Sequence, residues 1–447
     1  MNKVKTWIER DHDNIMHGMT PFRKNPLIAK SAKGCFVEDT DQNKYLDAMS
    51  GLWCVNVGYG REVLAEAAHN QMVEMSYYPL VHSHKPAIEL AEKLNSWLDD
   101  EYVFFFSNSG SEANEAAFKV ARQYFHQKGE SERYKVLSRY RAYHGGTLGA
   151  LAATGQAQRK YKYEPLAAGF IHTVPPDCYH CPLGKQPTTC NHECADMVEQ
   201  TMTWELDETV AAVIMEPYIT GGGVFVPPEG YLKKVRDICD RHGVLLIIDE
   251  VISGFGRTGE KFGFQHEGIS PDIITMAKGV TSGYLPLSAT AVRKDIYDAF
   301  KEEGDYNHFR TVNTFGGNPS ACALALKNIE IIEEENLVKN SRIRGKQLID
   351  ELAELKSHPH VGDIRSKGLV IGIELVKDQS SRIPLEEERI NKVITRCKEL
   401  GVIIGKNGDT VAGFNNVLTI APPLIIDEGT VRFLSGAIKR AIQDSCF

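Results

Sequence analysis

Apolar residues fall along this chain in two recurring patterns. Short, largely apolar runs occur at Val103–Phe106, Val210–Met215, Val244–Ile248 and Ile273–Met276. Runs of this kind, without polar alternation, suit strands covered on both faces, as in a parallel sheet. Between them the apolar residues return every third or fourth position, as at Ala113, Ala116, Ala117, Val120 and Tyr124. The same helical spacing precedes them, at Leu64, Ala67, Ala68, Met72 and Met75 and again at Ile88, Ala91, Leu94 and Leu98. Strands alternating with helices predict a largely parallel sheet with helices on both faces. Earlier still, "KGCFVEDTDQNKYLDAMSG" reads as two short strands around the turn formers Asp41 to Asn43. After about Pro319 the helices lengthen, two strand-like runs return in "GLVIGIELV" and "NVLTIAPPLII", and Glu428 to Ile442 is amphipathic. The pattern therefore predicts an α/β chain with a large domain over residues 61–325. A smaller α+β domain is expected from both chain ends, residues 1–60 and 326–447.

Composition narrows the setting. With 447 residues, 42% hydrophobic and 25% charged, the chain has the balance of a soluble globular protein of more than one lobe. A formal charge of −8 is mild for this length and points to neither nucleic acid nor an anionic membrane. No apolar run reaches a bilayer span. The opening "MNKVKTWIERDHDNIMHG" has no apolar signal region, and the ten cysteines are scattered. A cytoplasmic location is expected.

Candidate chemistry begins at "GVLLIIDEVISGFGRTG", where Asp249 and Glu250 end an apolar strand. An acid at the carboxyl end of a parallel strand stands where α/β proteins place ligands. The magnesium strand of P-loop ATPases looks similar, but it requires a Gly-x-x-x-x-Gly-Lys-Ser/Thr loop upstream, which this chain lacks. It also lacks a Gly-x-Gly-x-x-Gly dinucleotide turn after any predicted strand. In "FFFSNSGSEANEAAFKVARQYF" a strand enters a polar turn and then a helix, with Ser109 and Glu112 at capping-box spacing. Backbone N–H groups at such a turn form an anion cradle, and Gly110 permits close approach. In "SPDIITMAKGVTSGYLPLSA", Lys278 follows an apolar strand. A lysine held there can lose its proton and act as a nucleophile. Each feature alone is common as a well-capped helix, a strand-end acid or a solvated lysine. Together they are the parts pyridoxal phosphate requires: a phosphate cradle, an acid for the ring nitrogen and an amine.

The chain resembles the class III aminotransferases of the fold-type I pyridoxal-phosphate superfamily along nearly its whole length. The stretches that carry the likeness are "NSGSEANEAA", "YRAYHGGTLGAL", "AAVIMEPYITGGGV", "LLIIDEVISGFGRTG", "DIITMAKG" and "NTFGGNPSACA". The resemblance implies a large domain with a mainly parallel sheet of the seven-stranded type, and pyridoxal 5′-phosphate as cofactor. It implies that Lys278 attaches the cofactor and carries the substrate proton, and that Asp249 keeps the ring nitrogen protonated. Gly110 and Ser111 would bind the phosphate, with Thr314 reaching it from the neighbouring subunit. Tyr143 and Val251 would pack on opposite faces of the ring, with His144 and Glu216 beside it. The expected partners are an amine donor and a 2-oxo acid acceptor, and the expected assembly is a homodimer, or a tetramer of such dimers.

Substrate class is less explicit. "SGLWCVNVGYG" resembles a pocket-wall segment of ω-aminotransferases, with Leu52 and Trp53 as the candidates. Diaminopelargonate aminotransferases of biotin synthesis resemble it too, but usually carry paired tryptophans where this chain has Leu52–Trp53. Many pyruvate-using members carry an Arg before the last strand to bind a carboxylate. Here "GKNGDTVAGFNNVLTIAPP" has none, and Lys406 is its only cation. The expected activity is transfer from an ω-amine or ω-amino acid, such as taurine, β-alanine or 4-aminobutyrate, to pyruvate or another 2-oxo acid. Finally, "CYHCPLGKQPTTCNHEC" places Cys178, Cys181, Cys190 and Cys194 at C-x2-C-x8-C-x3-C spacing, with His180 and His192 between. Such a set can satisfy tetrahedral zinc; the alternative is four reduced loop thiols.

Overall fold

The structure, a computed structural model, describes residues 5–19, 26–408 and 410–445; the first four residues of the N-terminal stretch lie outside it. Its centre is a seven-stranded sheet. In chain order its strands are β1 (Tyr102–Ser107), β2 (Lys135–Arg139), β3 (Phe170–Thr173), β4 (Val210–Met215), β5 (Leu245–Asp249), β6 (Ile273–Met276) and β7 (Ser288–Arg293). Their spatial order is β1-β7-β6-β5-β4-β2-β3. The pairs β6–β5, β5–β4, β4–β2 and β2–β3 are parallel. Every residue of β4, β5 and β6 is buried, which is why those segments carry no polar alternation.

β7 runs antiparallel to both β6 and β1. Two reversals cancel, so β1 points the same way as β6. Ser288 pairs with Ser107 and Ala289 with Met276, which brings the carboxyl ends of β1 and β6 to one level. The segments that leave β1, β2, β4, β5 and β6 therefore emerge along one rim of the sheet.

The expected helices form with small shifts, at Glu62–Glu74, Lys85–Asn95 and Glu428–Ser445. The hairpin Phe36–Asp39 and Lys44–Asp47 closes around Asp39, whose Oδ1 accepts from Asp41 N and Asn43 N. Leu46 of that hairpin pairs in parallel with Val402, which joins early and late chain in one small sheet. A third sheet holds Val361–Lys367, Val370–Leu375, Val417–Ile420 and Gly405–Lys406. Among the described residues no helix is long and apolar enough to cross a membrane.

Candidate active site

The rim of the sheet opens into a cavity of 390 Å³, lined among others by Gly110, Ser111, Tyr143, His144, Glu216, Asp249, Val251 and Lys278. Apart from Thr314, these are all the residues expected to hold the cofactor. The topology explains the convergence. Asp249 is the last residue of β5 and Glu216 follows β4. Lys278 comes shortly after β6, and Tyr143 and His144 follow β2.

Asp249 is fixed by three donors. Its Oδ2 accepts from Asn114 Nδ2 at 2.9 Å and faces His144 Nδ1 at 2.9 Å, and its Oδ1 accepts from Val251 N at 3.1 Å. Asn114 is held in turn, donating to His144 O at 2.6 Å and accepting from Thr275 Oγ1 at 2.7 Å. His144 Nε2 is buried with no hydrogen-bond partner among the described residues. The neighbouring acid, Glu250, turns the other way. It accepts from Ser253 Oγ, Gly263 N and Phe264 N and so brackets the loop after β5, and burial pushes its carboxyl up to about 7. Of the two strand-end acids, one faces the cavity and the other holds the fold.

Lys278 opens a single 3₁₀ turn with φ of 45°, a left-handed conformation that is strained for a residue with a side chain. Burial pushes its amine below the ordinary lysine value, against the opposing pull of Cys54, Asp249 and Glu216. Glu216 is buried as well, and burial raises its carboxyl. Its Oε1 accepts from Tyr143 N, and its Oε2 accepts from Thr220 N and Oγ1.

The helix start after β1 is capped as the sequence spacing predicts. The helix Gly110–Gln127 begins with a complete capping box between Ser109 and Glu112, and Glu112 Oε2 also accepts from Asn108 N at 2.8 Å. A Cβ on Gly110 would lie 2.9 and 3.0 Å from the two methyls of Val251. Glycine is needed there for space, since its φ is ordinary. Ser111 Oγ accepts from Gly146 N at 3.0 Å, tying the cradle to the segment after β2.

Leu52 and Trp53 part company. Leu52 is 69% exposed and lines the cavity, whereas Trp53 is 7% exposed. Trp53 packs with Met49, Val224, Val370 and Ala421, one layer behind the wall residue Ile252. Positive φ at Ser50, Gly51 and Trp53 makes the kink that turns the two side chains apart. The buried Arg257 clamps this segment through Ser50 Oγ and Asn56 Oδ1.

Thr314 is exposed and does not line the cavity. It lies on an apolar groove beside β1 with Tyr77, Leu80 and Phe104, and its carbonyl accepts from Tyr77 Oη at 3.0 Å.

The zinc spacing is not realised as a site. Among the described residues no group of three or more His, Cys, Asp or Glu side chains could hold a metal ion. His180 is taken up by Glu374 at 2.8 Å, and Cys194 sits on the buried face of the helix Glu193–Trp204. The four cysteines are free thiols, and burial pushes Cys178 up to about 11 and Cys194 up to about 12.

The sequence profile of the class-III aminotransferases matches residues 19–442. The chain belongs to the class III aminotransferases. An uncharacterised aminotransferase of Bacillus subtilis (strain 168) is 60% identical over 436 residues, covering 97% of this chain and 96% of that one. A taurine–pyruvate aminotransferase of Bilophila wadsworthia is 42% identical, covering 96% of this chain and 95% of the relative. Among solved structures, a Bacillus anthracis aminotransferase superposes with a TM-score of 0.95 at 57% identity, covering 98% of each chain. Members of this family depend on pyridoxal phosphate, and the cavity of this aminotransferase fits that group. It offers a half-buried amine, a buried carboxylate with open acceptor capacity, and a helix N-terminus cleared of side-chain bulk by Gly110.

Asn114 is one of several cavity residues, with Cys54, Asn108, Ile252 and Thr281, that sequence reasoning missed. A polar side chain on an otherwise alanine-rich buried face, one turn beyond Gly110, was the available signal.

Proposed function

We propose that this aminotransferase moves the amino group of an ω-amino acid, a short amine with an acid group at its far end, to pyruvate or a related 2-oxo acid in the cytoplasm. The observation that carries the substrate class is the cavity wall. Leu52, Ile252, Leu285, Pro286 and Leu287 make it apolar, and among the described residues no arginine lines it. Its one lysine is Lys278 itself. The carbon chain between the amine and the far acid group of such a donor can lie along this apolar surface. The 42% identity to a taurine–pyruvate aminotransferase supports the same reading.

Pyridoxal phosphate, when bound, supplies a ring that accepts electron density from the substrate carbon. In this reading the chain does the rest. Gly110 and Ser111 hold the phosphate, Tyr143 and Val251 flank the ring, and Glu216 and His144 fix the groups around it. Asp249 holds a proton on the ring nitrogen. Lys278 anchors the cofactor covalently and, once displaced, moves a proton from the substrate carbon as base and returns it as acid.

The deciding experiment is a panel of donors against pyruvate and 2-oxoglutarate. We expect kcat/KM for taurine, β-alanine or 4-aminobutyrate to exceed that for α-amino acids other than alanine. Activity confined to 8-amino-7-oxononanoate with S-adenosylmethionine as donor would replace this reading with the biotin-pathway one.

The same reading includes a homodimer in which Thr314 completes the partner's phosphate site, supported by its exposure on the apolar groove beside the edge strand β1. Thr314→Asp would set a carboxylate against the phosphate, and this variant and Lys278→Ala should each be inactive alone. In a mixed dimer one site then carries both defects and the other neither, so activity should return on subunit exchange. No return after proven exchange would place both residues in one subunit's site.

A further inference from the structure

Lys278 has two tasks, as anchor and as proton carrier, yet the turn that carries it is one the chain does not adopt by preference. Lys278 and Ser282 bracket that turn with left-handed φ of 45° and 49°. Neither is glycine, so surrounding groups have to hold them there. The bonds within the turn are long: Thr281 N donates to Lys278 O at 3.3 Å and Ser282 N to Gly279 O at 3.4 Å. One side of the turn is closed by packing. A Cβ on Gly279 would lie 2.6 Å from Asn56 Nδ2 and 2.9 Å from Phe255 Cβ.

Another hold comes from a single amide. Asn328, on the helix Pro319–Glu334, is fully buried on a face it shares with Leu324, Ala325, Ile331 and Ile332. Its Nδ2 donates to Gly279 O at 2.9 Å and to Val280 O at 3.0 Å, and its Oδ1 accepts from Ser282 Oγ at 2.7 Å. Ser282 Oγ in turn accepts from Val57 N at 3.2 Å. An amide buried among apolar side chains is costly unless bonded, so these three bonds fix its orientation and, through it, the turn. Asn328 itself does not line the cavity, whereas Lys278 does.

Resting on the reading of Lys278 as anchor and proton carrier, we propose that Asn328 is its positioning residue, clamping the strained turn so that the amine stays at the cofactor. Gly279 O and Val280 O belong to the two peptides that follow the Lys278 carbonyl. With both released, Lys278 can relax toward negative φ and carry its side chain off line. A displacement of about 1 Å at a reacting group costs on the order of 100-fold in rate.

The test compares the parent with Asn328→Ala, Ser282→Ala and, as a control for lost stability, Asn95→Ala. Asn95 makes a similar bracket far from the rim, with Nδ2 donating to Tyr102 O at 2.9 Å and Oδ1 accepting from Tyr102 N at 3.0 Å. The first measurement is the rate at which apoenzyme attaches added pyridoxal phosphate, which joins the Lys278 nitrogen to the aldehyde carbon and releases one water. The second is the affinity for 4′-deoxypyridoxine 5′-phosphate, which lacks the aldehyde and so binds without attachment. The third is the donor half-reaction of fully loaded enzyme with the most active amine of the panel above. Asn328→Ala should slow attachment and half-reaction by about 10- to 100-fold and leave the analogue's affinity at the parent value. Ser282→Ala should show the same split at about 3- to 10-fold, the scale of one hydrogen bond, and decides the matter by itself should Asn328→Ala fail to fold. Asn95→Ala should lower the thermal midpoint and keep both parent rates. An analogue weakened as much as attachment is slowed, parent rates in the Asn328 and Ser282 variants, or equal losses in Asn95→Ala would overturn the role of Asn328 while the reading of Lys278 stands. A borohydride label found in the parent on a lysine other than Lys278 would overturn both.

Discussion

Replacing Lys278 with alanine is expected to abolish turnover, by roughly 10⁴-fold or more, while the chain still folds. A positioned proton-transfer group alone contributes 10²–10⁴, and in the proposed mechanism Lys278 is also the covalent anchor of the cofactor. No second amine can stand in, because Lys278 is the only lysine lining the cavity among the described residues. Borohydride reduction of the parent enzyme should leave the cofactor on a peptide containing Lys278, and a label recovered on another lysine would refute the assignment. Stability gives an independent reading. Burial lowers the Lys278 amine in the folded chain, so below the ordinary lysine value of 10.5 the unfolded chain binds this proton more readily than the folded one. The parent apoenzyme bears that penalty at neutral pH and sheds it as the pH climbs toward 10.5. Relative to its parent, the alanine variant should therefore lose ground in thermal midpoint as the pH rises.

How much of this was legible in the sequence depends on what each segment buries. β4, β5 and β6 bury only side chains that announce themselves, or nearly so. β2, β3 and β7 escape the apolar pattern, because "KVLSR", "FIHT" and "SATAVR" mix small and polar residues into buried positions. Their polar groups are matched only by the assembled fold. Thr290 Oγ1 donates to Ala113 O at 2.8 Å, and the fully buried Arg139 donates from Nη2 to Glu216 O. Hydrophobic patterning cannot register a strand whose burial is justified by tertiary hydrogen bonds.

The same distinction runs through the site. Lys278, Asp249 and Gly110 lie at strand ends and a capped helix start, which local pattern marks well. Asn114 reads locally as a solvated helix residue and becomes a ligand of Asp249 only once β5 and the helix Gly110–Gln127 are packed. The parting of Leu52 from Trp53 depends on left-handed backbone at three residues of one short segment, which residue identity alone does not dictate. The four cysteines have the spacing of a metal site, yet among the described residues no group of three or more His, Cys, Asp or Glu side chains could hold a metal ion; ligand spacing along a chain bounds what can meet and does not by itself make a site.

The second large effect is expected at Asp249. Asp249→Asn should keep the cofactor bound yet slow proton removal from the substrate on the order of 100- to 1000-fold, the usual scale for losing a preorganised electrostatic partner of the transition state. A neutral amide cannot hold a proton on the ring nitrogen, so the ring no longer draws charge from the substrate carbon. The surroundings add a cost of their own. Oδ1 receives Val251 N–H, while Oδ2 receives Asn114 Nδ2 and faces His144 Nδ1. Whichever way the new amide is turned, its NH₂ faces a donor, because Asn114 is locked in orientation by Thr275 Oγ1 and His144 O. One buried mismatch of this kind costs about 1–3 kcal/mol, so the thermal midpoint should fall together with the rate. Single-turnover bleaching of the cofactor absorbance on adding a donor separates the two effects, since it reads only folded, loaded enzyme. A near-normal bleaching rate with a lowered midpoint would reduce Asp249 to a structural acid like its neighbour Glu250. A slowed rate in fully loaded enzyme would put the charge of Asp249 in the chemical step, where Glu250, turned away to bracket its loop, cannot replace it.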